Sequence, residues 1–130
     1  MQAQKVLIVD DEAIIGYDLE LRLRRLGFDV LDVASSPDEA YLAATSKHPD
    51  VILMDINLNS EKDGIATYKW IRESIDIPVM FISAFADHET LDRVNEVGPL
   101  GYLTKPVYDD QLEYIIQKLG TTGAQLEQQT

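Results

Sequence analysis

Several features are scarce or missing in this sequence, and each absence narrows the possibilities. There is no cysteine, which excludes disulfide bonds and thiolate chemistry and agrees with a cytoplasmic location. No apolar run reaches the length of a membrane span or of a signal-peptide core. Basic residues number only 11 against 23 acidic ones, a formal net charge of −12. We therefore expect neither a membrane partner nor a nucleic-acid surface, because the latter needs clustered lysine and arginine.

The length and composition predict one compact domain. The chain has 130 residues, of which 45% are hydrophobic, enough for a single core. We place the domain at residues 1–119 and interpret residues 120–130, rich in glutamine and threonine, as a flexible tail or linker. Whether the chain acts alone or forms part of a longer protein stays open.

Short apolar segments alternate with segments of helical periodicity about every 25 residues, which predicts a doubly wound α/β fold with one parallel sheet between two layers of helices. The predicted strands are residues 5–9, 28–33, 51–54, 79–82 and 100–104. The segment 51–54 is apolar throughout, as expected for a strand that is buried on both faces.

Polar residues follow four of these strands. Asp10 and Asp11 follow the first, Asp55 the third, Ser83 the fourth and Lys105 the fifth. Because parallel strands end at one edge of a sheet, these side chains should converge there. Three carboxylates and one lysine leave a net charge near −2, which a divalent cation would neutralise. Oxygen ligands favour Mg²⁺ or Mn²⁺, whereas the absence of cysteine argues against zinc.

Four motifs at these strand ends resemble those of the response-regulator receiver domains of two-component signalling. They read VDDE at 9–12, MDIN at 54–57, ISA at 82–84 and YLTKP at 102–106. Their order and spacing make the resemblance specific, and it covers about residues 5–119. It implies a flavodoxin-like fold with a five-stranded parallel sheet and five helices.

The resemblance implies a role for each matched acid. Asp55 would be the phosphoacceptor, which takes a phosphoryl group from a histidine kinase or a histidine phosphotransfer domain. Asp10, Asp11 and Asp55, with the backbone carbonyl of Asn57, would hold Mg²⁺ or Mn²⁺. The negative charge that phosphorylation adds would then control an output domain or protein that the sequence does not identify.

The same resemblance assigns the remaining motif residues. Ser83 and Ala84 would contact the phosphoryl group, and Lys105 would pair with its charge. Tyr102 would change orientation together with Ser83, which makes these two residues the expected switch. Pro106 is a candidate for a cis peptide bond.

On the first helix, the neighbouring residues Ile14 and Ile15 lie beside the acid pair. At least one of them is expected in the core. The resemblance brings a kinase or phosphotransfer helical bundle against this helix, so an exposed isoleucine there would be an apolar anchor for that partner.

Two other functions compete with this interpretation. A degenerate receiver would bind partners without being phosphorylated, but it would usually lack an acid, the hydroxyl or the lysine. A phosphatase with an aspartate nucleophile would need a second aspartate where Asn57 stands. We therefore expect a regulatory domain and not an enzyme, with at most self-phosphorylation and autodephosphorylation.

The loop after Asp55 departs from the family pattern. Residues 57–64 read NLNSEKDG, one residue longer than the commonest receiver loop and without its frequent proline. The resemblance therefore predicts the site but not the path of this loop.

Overall fold

The computed structural model describes residues 3–120. Strands and helices alternate strictly along this part of the chain. The elements are β1 (Lys5–Val9), α1 (Ala13–Arg25), β2 (Asp29–Ala34), α2 (Pro37–Lys47), β3 (Val51–Asp55), α3 (Gly64–Arg72), β4 (Val79–Ser83), α4 (His88–Val97), β5 (Gly101–Thr104) and α5 (Asp109–Gly120). The predicted tail lies outside the described residues, except for Gly120, at which α5 ends.

All five strands form one parallel sheet in the order β2-β1-β3-β4-β5. This confirms the predicted doubly wound fold. The strand order changes direction at β1 and β3, so the carboxyl ends of these two strands lie where open α/β sheets form their sites. None of the helices within residues 3–120 is long and apolar enough to span a membrane.

The hydrophobic core has two parts, one on each face of the sheet. Alternate residues of β3 point to opposite faces, so Ile52 and Met54 enter one cluster whereas Val51 and Leu53 enter the other. The first cluster contains side chains of α2, α3 and α4, and the second contains side chains of α1 and α5. The wholly apolar sequence of β3 follows from this burial on both sides.

Four of the five strands differ from the prediction by one residue at one or both ends, and β3 and β4 each end one residue later than expected, at Asp55 and Ser83. β2 begins at Asp29 and ends at Ala34, one residue later than expected, because its pairing with β1 starts at Lys5 opposite Asp29 and ends at Val9 opposite Ala34. β5 starts one residue later than expected, at Gly101. Apolar residues next to a strand extend the sequence pattern beyond the paired residues, which is why such boundaries are poorly predicted.

A charge pair connects the start of α3 to α4. Asp63 is the N-cap of α3 and accepts from the Ala66 N–H at 2.9 Å, while the guanidinium of Arg93 donates to both Asp63 oxygens at 2.7 and 3.0 Å. Burial raises the pKa of Asp63, but the bonds from Arg93 and Ala66 lower it more, so the pKa lies below its ordinary 3.8. A carboxylate with a lowered pKa stabilises the fold at neutral pH and ceases to do so as the pH falls through that pKa.

Asp63→Asn is therefore expected to make the free energy of unfolding less dependent on pH below neutrality. Asparagine is also a good N-cap, so the change removes mainly the charge. At about pH 7 the variant should be less stable by roughly 0.5 kcal/mol, because the pair is partly exposed, and by about pH 3 the difference should disappear. Urea unfolding at both pH values measures this, with Glu61→Gln in the preceding loop as the control. A difference that persists at the lower pH would contradict the assignment.

Candidate functional site

The acidic residues that follow β1 and β3 meet at one edge of the sheet. Asp10 and Asp55 are each only 2% exposed, and Asp11 beside them is half-buried. One carboxylate oxygen from each of the three lies within 4.8 Å of the others. The structure therefore brings together the three acids that the sequence predicted to converge.

Lys105 reaches the same point from the end of β5. Its Nζ lies 3.3 Å from Asp55 Oδ2 and 3.4 Å from Asp10 Oδ2, so one ammonium is shared between two buried carboxylates. The Lys105 backbone N–H donates to the Ser83 carbonyl at 2.9 Å, which continues the pairing of β5 with β4. The predicted lysine is thus a partner of the predicted phosphoacceptor.

Burial and the neighbouring charges both shift the pKa values of Asp10 and Lys105. Burial raises the pKa of Asp10, and the nearby Asp55 charge adds to that rise, against the lowering effects of the Glu12 N–H and Lys105. Burial lowers the pKa of Lys105, but the charges of Asp55 and Asp10 raise it more, so the net pKa is raised. Lys105 therefore stays charged, but its ammonium does not offset both the burial of Asp10 and the Asp55 charge beside it.

Backbone N–H groups fix the orientation of the two buried carboxylates. The Glu12 N–H donates to Asp10 Oδ1 at 2.8 Å, and the Asn57 N–H donates to Asp55 Oδ1 at 3.0 Å. In each carboxylate the other oxygen, Oδ2, contacts Lys105. Both acids are thus held in one orientation by charge-assisted hydrogen bonds.

The loop between β3 and α3 is attached to the site despite its unusual length. The Asn59 N–H donates to Asp11 Oδ2 at 2.9 Å, and Leu58 is buried in the core. Near the end of the loop, the Lys62 ammonium lies 4.7 Å from the ring centre of Trp70, which itself stacks on Tyr41 at 4.2 Å. Trp70 on α3 therefore packs against both the loop and α2.

Ser83 is fully buried, and its hydroxyl has partners on both sides. It accepts from the Asn57 side-chain amide at 2.8 Å and donates to the Phe85 carbonyl at 2.6 Å. Sequence reasoning assigned only the backbone carbonyl of Asn57 and missed its side chain. The Asn57 amide, two residues after Asp55, was the sequence feature that could have indicated this contact. Its partner Ser83 lies 26 residues further along the chain, and no local pattern connects the two.

The other predicted site residues lie around this centre. Tyr102 is half-buried against the core cluster that contains side chains of α2, α3 and α4, and Ala84 is exposed beside Ser83. The peptide bond between Lys105 and Pro106 is cis.

The two isoleucines of α1 have different surroundings. Ile14 is 84% exposed, whereas Ile15 packs partly against the core. Both border a groove of about 540 Å³, which is also lined by Lys105, Pro106 and Val107. The groove is mostly apolar and opens next to the acidic centre.

Gly64 is a site residue that the sequence analysis did not single out. A Cβ atom there would lie 2.2 Å from the Asp55 carbonyl oxygen and 2.8 Å from Ile56 Cα, and both of these are backbone atoms. The Gly64 N–H also donates to the Ile56 carbonyl at 2.8 Å. The first residue of α3 therefore touches the backbone that carries Asp55. A glycine at a helix start was the only hint in the sequence.

Comparisons with known proteins agree with this geometry. The family model described as the response regulator receiver domain matches residues 6–117. A probable transcriptional regulator, ycf27, of Porphyridium aerugineum is 32% identical over 92% of this chain and 49% of its own length. The transcriptional regulatory protein PdtaR of Mycobacterium tuberculosis is 32% identical over 79% of this chain and 50% of its own length.

Solved structures agree as well. The signal receiver domain of a modulated diguanylate cyclase from Desulfovibrio desulfuricans G20 superposes with a TM-score of 0.83 at 37% identity, covering 89% of this chain and 92% of that one. The chain spans about half the length of the curated relatives named above. The family match over nearly all described residues, on a site with three acids, a serine and a lysine, shows that this chain belongs to the response regulator receiver domain family.

Proposed function

We propose that Asp55 is the phosphoacceptor of this receiver domain. The observation that carries the proposal is the position of its carboxylate: one oxygen is held by the Asn57 N–H and the other faces the Lys105 ammonium. A carboxylate attacks as its anion, so no general base is needed. An Asp55 oxygen bonds to phosphorus, the P–N bond of a phosphohistidine breaks, and its electron pair returns to the imidazole nitrogen.

Lys105 and Ser83 are proposed to act on the transferred group. Phosphoryl transfer depends on positioning and on neutralising charge at the phosphoryl oxygens, which an ammonium and a hydroxyl both provide. Lys105 already contacts the accepting carboxylate, but the Ser83 hydroxyl is bonded to Asn57 and Phe85. Ser83 must exchange these partners before it binds a phosphoryl oxygen, with Ala84 beside it.

That exchange is the basis of the proposed switch. The phosphorylated form favours the conformer in which Ser83 is drawn to the phosphoryl group and Tyr102 is buried. Tyr102 is half-buried in the present structure, so its side chain has further surface to lose.

The acidic centre fits a hard divalent cation, Mg²⁺ or Mn²⁺. Asp10, Asp11 and Asp55 offer only oxygen ligands, and these lie within 4.8 Å of one another. We propose that these three residues hold the ion, together with the backbone carbonyl of Asn57. When bound, it supplies positive charge to the phosphoryl oxygens.

Mg²⁺ is therefore expected to stabilise the protein. At ten times its dissociation constant, the gain in the free energy of unfolding is about 1.4 kcal/mol. Asp11→Asn should weaken binding at least about tenfold, because it removes one charge and one ligand. Calorimetric titration with MgCl₂ measures this, and the neighbouring Glu12→Gln, whose exposed carboxylate is not among the three acids, is the control. Equal affinity of the two variants would contradict the ligand set.

Incubation with acetyl phosphate and Mg²⁺ tests the proposed function directly. A receiver gains one hydroxylamine-labile phosphoryl group on the peptide that contains Asp55, detected by intact and peptide mass spectrometry. A degenerate receiver gains none, and a phosphatase turns over added phosphoesters. We expect the first result and no such turnover, because Asn57 occupies the place of the second phosphatase aspartate and bonds to Ser83.

The proposed phosphodonor partner is a histidine kinase or phosphotransfer domain that docks on α1. Ile14 is 84% exposed at the rim of the apolar groove beside Lys105. An apolar side chain of the partner that entered the groove would bury the groove and Ile14 together.

Ile14→Ser should slow phosphotransfer from the cognate donor about tenfold and leave phosphorylation by acetyl phosphate unchanged. Leu42→Ser, an exposed leucine on α2, is the matched control. Equal slowing with both donors would place Ile14 in the chemistry and not in docking.

A further inference from the structure

Arg22 on α1 holds the segment that follows Lys105. Its Nη2 donates to the Val107 carbonyl at 2.5 Å, and its Nε donates to Asp109 Oδ1 at 2.8 Å. A third contact, with Asp18 on its own helix at 3.3 Å, fixes the other side of the guanidinium. The Arg22 side chain is only 17% exposed. One side chain thus joins α1 to the β5–α5 loop and to the first residue of α5.

Lys105 depends on that loop for its position. β5 is a four-residue edge strand whose single neighbour in the sheet is β4. The Lys105 N–H is tied to the Ser83 carbonyl of β4. On the other side, the Val107 carbonyl, two residues further on, is tied to Arg22. The backbone segment that carries the Lys105 side chain is therefore hydrogen-bonded at both ends, at Lys105 and at Val107.

We propose that Arg22 is a positioning residue, which keeps the Lys105 ammonium in place at Asp55 by fixing the loop that follows β5. This proposal rests on the proposed function of Asp55 and Lys105. Arg22 itself forms no bond with the acidic centre among the described contacts, so its effect passes through the backbone of residues 105–107. A displacement of about 1 Å at a reacting group is enough to slow a reaction considerably.

The geometry separates this role from general stabilisation. Partly exposed ion pairs contribute little to stability, and α1 and α5 are joined independently by apolar packing of Leu19 and Leu23 with Leu112 and Ile115. Burial lowers the pKa of Arg22, but the bonds to Asp109 and Asp18 raise it more, so the guanidinium stays charged. Loss of its donors should release the loop without unfolding the domain.

The test is Arg22→Met, which keeps an apolar stem and removes every donor. We expect phosphorylation by acetyl phosphate to slow about tenfold at saturating Mg²⁺, while the Mg²⁺ dissociation constant stays within about twofold of the wild-type value. A slower rate with unchanged Mg²⁺ affinity indicates a positioning role, because the carboxylates hold the metal. A site that had loosened as a whole would show both a slower rate and weaker Mg²⁺ binding. Arg24→Met is the matched control: Arg24 also pairs with an acid on α1 and donates to a backbone carbonyl, that of Val30 in β2. It should leave both quantities unchanged.

Asp109→Asn removes the charge that Arg22 contacts on α5 without altering α1. It should slow phosphorylation by acetyl phosphate in the same way, but less than Arg22→Met does. Wild-type rates in both Arg22→Met and Asp109→Asn would overturn the inference and leave the proposed function intact. So would a rise in the Mg²⁺ dissociation constant in proportion to the slowing. If the wild-type protein itself takes up no phosphoryl group at Asp55, the proposed function fails and this inference fails with it.

Discussion

Asp55→Asn is expected to abolish phosphorylation by acetyl phosphate and by a phosphohistidine donor. The amide has no anionic oxygen to attack phosphorus, and of the three clustered acids only Asp10 and Asp11 keep their carboxylates. The fold should persist, because asparagine keeps the volume and removes one of three crowded like charges; we expect the free energy of unfolding to change by less than about 1 kcal/mol. Intact mass after incubation and urea unfolding measure the two effects.

Asp50→Asn is the matched control, since Asp50 precedes the other end of the same strand and its carboxylate accepts from the Lys5 N–H at 2.8 Å. This variant should be phosphorylated at the wild-type rate. Full phosphoryl incorporation into Asp55→Asn would show that another acid is the acceptor, and peptide mapping would identify it.

Gly64→Ala is expected to damage both the fold and the site. The added Cβ would meet the Asp55 carbonyl oxygen at 2.2 Å and Ile56 Cα at 2.8 Å. Neither atom belongs to a flexible side chain, so α3 must move away from the end of β3. We expect a loss of about 3 kcal/mol in the free energy of unfolding and phosphorylation about 100-fold slower, because the Asp55 backbone shifts with it.

Gly101→Ala provides the comparison. Its Cβ would meet only the flexible end of the Met80 side chain, at 3.1 and 3.3 Å. The loss of stability should therefore be clearly smaller and the phosphorylation rate close to that of the wild type. If Gly64→Ala were as stable and as reactive as Gly101→Ala, the close approach of α3 to Asp55 would be wrong.

Much of the site could be predicted because it depends on a short chain of physical reasoning. An apolar run such as that of β3 identifies a strand buried on both faces, and alternation with helices makes the sheet parallel. Parallel strands then bring the residues at their carboxyl ends together, which is how Asp10, Asp55 and Lys105 were expected to meet. Their contacts follow from topology and require no knowledge of side-chain packing.

The contacts that escaped prediction share another property: each joins elements whose relative distance is set by packing. Arg22 reaches Asp109 across 87 positions in the sequence, and Asn57 reaches Ser83 across 26. The 84% exposure of Ile14 likewise depends on packing, because it is set by how α1 is rotated against the sheet.

The amino-acid sequence by itself thus determined the class of fold, the order of its elements and the edge at which the acids, the hydroxyl and the lysine gather, because these follow from local periodicity and strand direction. Only the tertiary structure decided that Gly64 touches the Asp55 backbone, that Asn57 occupies the Ser83 hydroxyl and that Arg22 clamps the loop after Lys105. These contacts depend on distances of a few ångströms between packed elements, and no local pattern encodes such distances.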